Sequence, residues 1–368
     1  MSVVLGACVA LPSLVSSGQV IGKGTVGAPK ISRVDVIGFA PGGILLVGDG
    51  AGQQLVAIET ADTGKPAKRF KTISGFASEV AGRLGVGQKD VELLDMAVNP
   101  DSGRLYVAAR RQDTKSHVFI TVSPDGEIGH FALDKLKYAA IPLPKGDSAP
   151  VSLVTDLAWV GDRLVAAARC NEEFKSKIFA TDGALLHGKT GQLATAETYH
   201  VAHRKWETRA PMSVLIPFEE NGEHYVVGAF SCTPVVKYPV SDIRPGGKVK
   251  GISMIELGSG NRPLDMFAYS KGGKTSVLAN TFRFHHKRKP FGPSPYWAAR
   301  FDRDLLAGHE AVNEKAIRRL AGSKPATDRI EMIEAFNGVI QMDRLNDDTA
   351  IAWRKTEKGV DLVTLPLP

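Results

Sequence analysis

One strand pattern, written six times along the chain, predicts an all-β fold, a β-propeller of six four-stranded blades. Three observations carry that expectation: the pattern itself, its even spacing, and the Gly, Asn and Asp turns that punctuate it. The first copy runs Val36–Phe39, a Pro41-Gly42-Gly43 turn, Ile44–Val47, a polar gap and Leu55–Ile58. The second runs Asp95–Val98, a turn ending at Gly103, Leu105–Ala108 and Val118–Thr121. The third is Asp156–Val160, Gly161-Asp162, Leu164–Ala167 and Ile178–Ala180, and the fourth is Ser213–Ile216, Asn221-Gly222, Tyr225–Gly228 and Val235–Tyr238. The fifth is Leu264–Tyr269, Gly272-Gly273, Ser276–Ala279 and, after a longer gap, Trp297–Arg300. The sixth is Val339–Met342, Asn346–Asp348, Ala350–Trp353 and Val360–Val363.

The second-strand anchors Leu45, Leu105, Leu164, Tyr225, Val277 and Ala350 recur at intervals of 60, 59, 61, 52 and 73 residues. Four short strands with their turns need about 40 to 50 residues, so the excess falls in loops. Two short helices, Glu79–Leu84 and about Asn313–Leu320, read as decorations between blades. The sixth copy ends after three strands and a strand-like stretch, Gln19–Val26, precedes the first. The expected closure is therefore a clasp in which Gln19–Val26 pairs with Val360–Leu365, which removes both free sheet edges.

Composition agrees with one large folded unit. Of 368 residues 43% are hydrophobic, the 38 Gly and 21 Pro suit frequent turns, and a mean hydropathy of −0.07 with 23% charged residues excludes a wholly disordered chain. The net charge of +7 and pI near 9.2 raise an acidic partner. The basic residues are dispersed, however, and the cluster His285–Lys289 is short, so no nucleic-acid partner is expected. The expected partner is a small molecule or another protein. Residues 1–17 are apolar and free of acidic residues, like the core of an export signal, and Leu5-Gly6-Ala7-Cys8 is similar to a lipid-attachment motif. They imply an exported chain, periplasmic or lipid-anchored, with residues 18–368 as a single propeller domain. No later stretch is long and apolar enough to form a transmembrane span.

The phrases Arg169–Phe174, Tyr199–Thr208, Ser231–Pro234 and Asn261–Met266 resemble those of a largely uncharacterised family of exported bacterial six-bladed propellers, over most of the chain from Ile31 onward. More distantly, the blade count is similar to TolB-like and gluconolactonase-like propellers, the latter holding an axial divalent cation on carboxylate and Asn ligands. That resemblance implies the fold and transfers no mechanism.

Topology then locates the chemistry. In each blade the loop from second to third strand and the start of the first strand share one face. The loops place Asp49, Arg110, Arg111, Asn171, Glu172, Cys232, Asn280 and Arg354 there, and the first strands add Asp95, Asp156, Arg209, Arg262 and Asp265. Such a ring suits an anionic or polyhydroxylated ligand, and the same residues also suit fastening one blade to the next. The face carrying Asn171, Glu172, Arg209, Cys232, Arg262 and Asp265 is the expected functional one. His200 and His203, three apart, with Glu207 or Glu172, form a metal set for a divalent ion, alongside the alternative of a packed aromatic loop with Tyr199 and Trp206. Cys8, Cys170 and Cys232 make no CxxC, and a Cys170–Cys232 pairing stays open. GxSxG, HExxH, glycine-rich phosphate loops and EF-hand loops are all missing from the sequence. The expected function is a binding or scaffold propeller with a polar axial face, with a metal-assisted lactone hydrolase or lyase as the alternative.

Overall fold

The structure is a computed structural model that describes residues 20–183, 186–232, 234–258, 260–288, 292–308, 316–318 and 329–368. The apolar stretch 1–17 lies outside them. All three strands expected in each of the six copies are present, paired antiparallel within six separate sheets. The chain is a six-bladed β-propeller.

Alternation within the strands explains the packing. Successive side chains point to opposite faces of a blade, so each blade feeds two junctions. In the third blade Ala166, Ala168 and Phe179 pack toward the first, whereas Val165, Ala167, Ile178 and Ala180 pack toward the fourth. The apolar core accordingly divides into six clusters, one at each junction. Their membership fixes the ring order, and it is not the chain order. The first blade touches the third and the second, and the second touches the sixth through Met96, Val107, Ile351 and Trp353. Around the ring the blades run first, third, fourth, fifth, sixth, second.

This order corrects the expected clasp. Thr25–Gly27 pairs antiparallel with Leu136–Pro142, not with the C-terminal strand. Leu136–Pro142, which follows the second blade in the chain, is itself the fourth strand of the first blade, paired on Gln54–Glu59. The physical reason lies in the crossover. To travel from the second blade to the third the chain must pass the outer edge of the first, and hydrogen bonding to that edge satisfies backbone groups on both. The C-terminal strand Gly359–Pro366 stays the third strand of a three-stranded sixth blade. Its outer edge meets the connection between first and second blades, where Ile73 and Leu362 exchange backbone hydrogen bonds of 2.8 and 3.0 Å.

The expected helix at 79–84 forms as Phe76–Arg83, burying Phe76, Val80 and Ala81 against the sixth blade's Trp353 side of the ring. The expected helix at 313–320 does not form in its described part. Ile317–Arg318 is a short strand, parallel to Ile255–Glu256, and the rest lies outside the described residues.

Candidate functional site

The innermost strands of five blades carry a β-bulge at the same level, between Leu93 and Asp95, Val154 and Asp156, Met212 and Val214, Pro263 and Asp265, and Val339 and Gln341. A bulge re-aims the side chain that follows it. Here that residue is Asp, Asp, Val, Asp or Gln, and each lines one central cavity of about 740 Å3 bounded by all six blades.

The carboxylates also join neighbouring blades in one rotational sense. Asp95 Oδ2 accepts from Ile37 N of the first blade at 2.6 Å, and Asp35 Oδ2 accepts from Val154 N of the third at 2.9 Å. Asp156 Oδ2 accepts from Leu215 N at 2.6 Å, Asp265 Oδ2 from Met342 N at 2.9 Å, and Asp343 Oδ2 from Val98 N at 2.7 Å. Five junctions are fastened in this way. At the junction of fourth and fifth blades no such bond occurs among the described residues, and the position is the apolar Val214, packed in a cluster with Met266 and Val277. Gln341 of the sixth blade donates through Nε2 to Asp95 Oδ1 and, at 3.4 Å, to Asp265 Oδ1, linking the second and fifth blades on either side of its own.

Burial sets the charge of this floor. It pushes Asp156 up to about 7 and Asp343 up to about 6, against the backbone N–H groups that favour their ionised forms. Asp95 and Asp265 are raised well above the usual carboxylate range, first by burial, with neighbouring carboxylates adding to it. The small exposure that Asp156, Asp265 and Asp343 retain is to the cavity, which they line. Burial thus shifts the floor toward protonated carboxylic acids, which both donate and accept. Arg169 and Arg262 stand at the mouth nearest the second-to-third-strand loops, and Arg344 toward the other end.

Of the residues expected in a site, the cavity brings together Asp95, Asp156, Arg262 and Asp265. The others are held elsewhere. Asp49 is buried and accepts from the backbone N–H groups of Ser32, Arg33 and Gly52, organising its own loop. Arg110 pairs with Glu92 at 2.6 Å, and Arg111 with Asp113 at 2.7 Å. Asn280 takes Asp265 N on its Oδ1 and donates to Val339 O, joining fifth and sixth blades. Arg354 donates to Ala335 O, Asn171 is exposed, and Arg209 is exposed beside Glu207, to which its N–H donates at 2.8 Å. Glu172 pairs with buried Lys177 and accepts from Ser148 N and Oγ, so that its pKa falls despite burial.

Away from the axis His200, His203, Glu207 and Cys232 converge, with one ligand atom of each within 4.8 Å of all the others. Glu172 is not among them. Cys170 and Cys232 are both free thiols, Cys170 buried. Sequence reasoning missed Asp35, Arg169, Gln341 and Asp343, which line the cavity, and Glu256, 3.3 Å from His200. Asp35 lies directly before Val36–Ala40 and Asp343 is the fifth residue of Val339–Asn346, so neither falls at a first-strand start, where the sequence offers its candidates.

Comparison with known proteins assigns no family. No family model matches the chain, and no curated protein does. Among solved structures it is similar to the extracellular domains 1–2 of Drosophila semaphorin 1a, at 10% identity and a TM-score of 0.42, covering 94% of this chain and 88% of that one. It is similar also to dihydro-heme d1 dehydrogenase NirN in complex with DHE (10% identity, TM-score 0.35, 90% of this chain) and to Trypanosoma rangeli sialidase in complex with sialic acid (11%, 0.37, 92%). The chain spans 57% and 46% of the lengths of those two.

Proposed function

We propose that this propeller is a binding protein whose axial cavity takes a small, hydroxyl- or amine-bearing ligand, neutral or cationic. The observation that carries the reading is the bulge-aimed set of Asp95, Asp156, Asp265 and Gln341 on one cavity of about 740 Å3. That volume falls within the range of small-molecule sites, about 300 to 1,000 Å3. Each carboxyl spends an oxygen lone pair on a neighbouring blade and keeps others for a hydroxyl or ammonium group. Of the two ligand chemistries expected from sequence, this floor favours the polyhydroxylated one, because an anion there meets Asp343 and the raised carboxyls without a buried cation beside it. The arginines at the mouth act as orienting donors to ligand oxygens.

The lactonase-like alternative has less to stand on. Among the described residues the only group of three or more His, Cys, Asp or Glu gathered within one ion's reach is off the axis. Fastening and binding also separate experimentally, because Ser213 lines the cavity without joining the carboxylate ring. Isothermal titration with glucose as a neutral polyol probe should show binding that Ser213→Trp, which fills the mouth, abolishes with unchanged circular dichroism. Binding that persists in Ser213→Trp would place the ligand elsewhere.

A further inference from the structure

We infer that His200, His203, Glu207 and Cys232 form a zinc-type metal site that clips the third blade to the fourth, independent of the axial cavity. The site is assembled by two elements. Strand Gly191–His200 turns back through a tight hairpin into Lys205–Glu207, with Tyr199 opposite Trp206 and Thr198 opposite Glu207. His203 N donates to His200 O at 3.1 Å, and Arg204 takes a left-handed φ of 53°, so the turn folds the His203 ring back onto that of His200, with centroids 3.9 Å apart. Tyr199 and Trp206 stack edge to face at 5.7 Å and brace the hairpin. Cys232 arrives from the fourth blade, in the turn after Glu223–Phe230, which Ser231 N anchors to Pro211 O.

His200 supplies the second observation. Its side chain is 1% exposed and lies between two carboxylates, with Nδ1 3.5 Å from Glu207 Oε2 and Nε2 3.3 Å from Glu256 Oε2, both within ion-pair distance and neither in hydrogen-bond geometry. A buried imidazole held only by such long contacts gains from a closer partner at the nitrogen that faces the cluster. With Nε2 toward Glu256, Nδ1 faces the cluster, the arrangement in which a carboxylate orients a metal-bound histidine from behind. Two imidazoles, a thiolate and a carboxylate form a four-ligand set of mixed N, S and O donors. That set suits tetrahedral Zn2+, and its softness disfavours Ca2+ or Mg2+. Ligand bonds of about 2.0 to 2.3 Å put neighbouring donors about 3.3 to 3.8 Å apart, so donors already within 4.8 Å need move by about an ångström or less. With four protein ligands the site is closed, and its role is a cross-link between blades. His203 is exposed and Glu207 and Cys232 half-buried, which gives the ion a way in.

The test uses the full chain, freed of any histidine tag and of metal, and titrated with Co2+ and with Zn2+. One equivalent of Co2+ should bind per chain, giving the intense visible bands of tetrahedral cobalt and a thiolate charge-transfer band, both displaced by Zn2+. Cys232→Ser should lose the charge-transfer band, and His203→Ala should lose tight binding, both at solvent-accessible positions that leave the fold intact by circular dichroism. Glu256→Gln, which positions His200 without touching the ion, should weaken Co2+ by about 10- to 100-fold, and Glu172→Gln should leave it unchanged. A folded wild-type chain that takes up no stoichiometric Co2+, a charge-transfer band that survives Cys232→Ser, or binding abolished by Glu172→Gln would overturn the site.

Discussion

Asp156→Asn isolates one member of the carboxylate ring. Asp156 accepts from Leu157 N at 2.8 Å and Leu215 N at 2.6 Å, and Asn can accept only one of them well. That loss is about 1.5 to 3 kcal/mol and does not depend on pH. The ionisation part does. Burial raises the folded carboxyl from 3.8 to about 7, while the unfolded chain titrates near 3.8. Between those values the native state holds a proton that the unfolded state has released. The wild type is therefore most favoured below pH 3.8 and loses that stability as pH rises through 7. Three units at about 1.4 kcal/mol each give about 4 kcal/mol, an upper value because the cavity admits water. Asn carries no such ionisation, so the variant should be clearly weaker than wild type near pH 4.5 and equal or stronger near pH 8. Urea denaturation of both proteins across that range, followed by Trp fluorescence, measures the gap. A gap independent of pH, or one that widens as pH rises, would refute a buried, raised Asp156.

Other consequences follow from the ring and its order. Asp35→Ala strands Gly50 N and Val154 N and removes the partner of Arg33, and should cost about 2 to 5 kcal/mol in urea denaturation; a loss below about 1 kcal/mol would show that the junction does not need it. Gly48→Ala would set a Cβ 2.8 Å from Val154 and Val36 at the junction of first and third blades, and should destabilise by about 1 to 3 kcal/mol on the same measurement. The closure is testable by cross-linking: Ile73→Cys with Leu362→Cys should oxidise to a disulfide, while Val26→Cys with Leu362→Cys should not. The reverse result would restore the clasp and contradict the ring order.

The blades were legible in the sequence because each copy's three inner strands are apolar, evenly spaced and separated by turns with a physical cause. Asn221, with φ of 53°, and Gly222, at 78°, mark one hairpin through its backbone conformation. The fourth strands were not legible. Leu136–Pro142 alternates buried Ala139 and Ile141 with exposed neighbours like any edge strand, and nothing local says that its partner is Gln54–Glu59, some eighty residues earlier. The swap of first and second blades is invisible for the same reason, since a repeat carries its own strands but not its place in the ring. Asp156 and Asp265 were visible as polar residues at first-strand starts, and the sequence offered both fastening and binding for them. The backbone N–H groups of Leu215 and Met342 that donate to them belong to the next blade, so only the fold shows that they fasten. His200 and His203 stood out by spacing and Glu207 by proximity, whereas Glu256 and Cys232 reach them only through tertiary packing.

The central claim is that a carboxyl-floored axis selects ligands by charge, and three six-carbon probes of one size test it most directly. Glucose, glucosamine and gluconate titrated calorimetrically into the wild type and Ser213→Trp should bind in the order glucosamine, glucose, gluconate, with all binding lost in the variant. Gluconate binding tightest, or any of the three binding equally well to Ser213→Trp, would contradict the account.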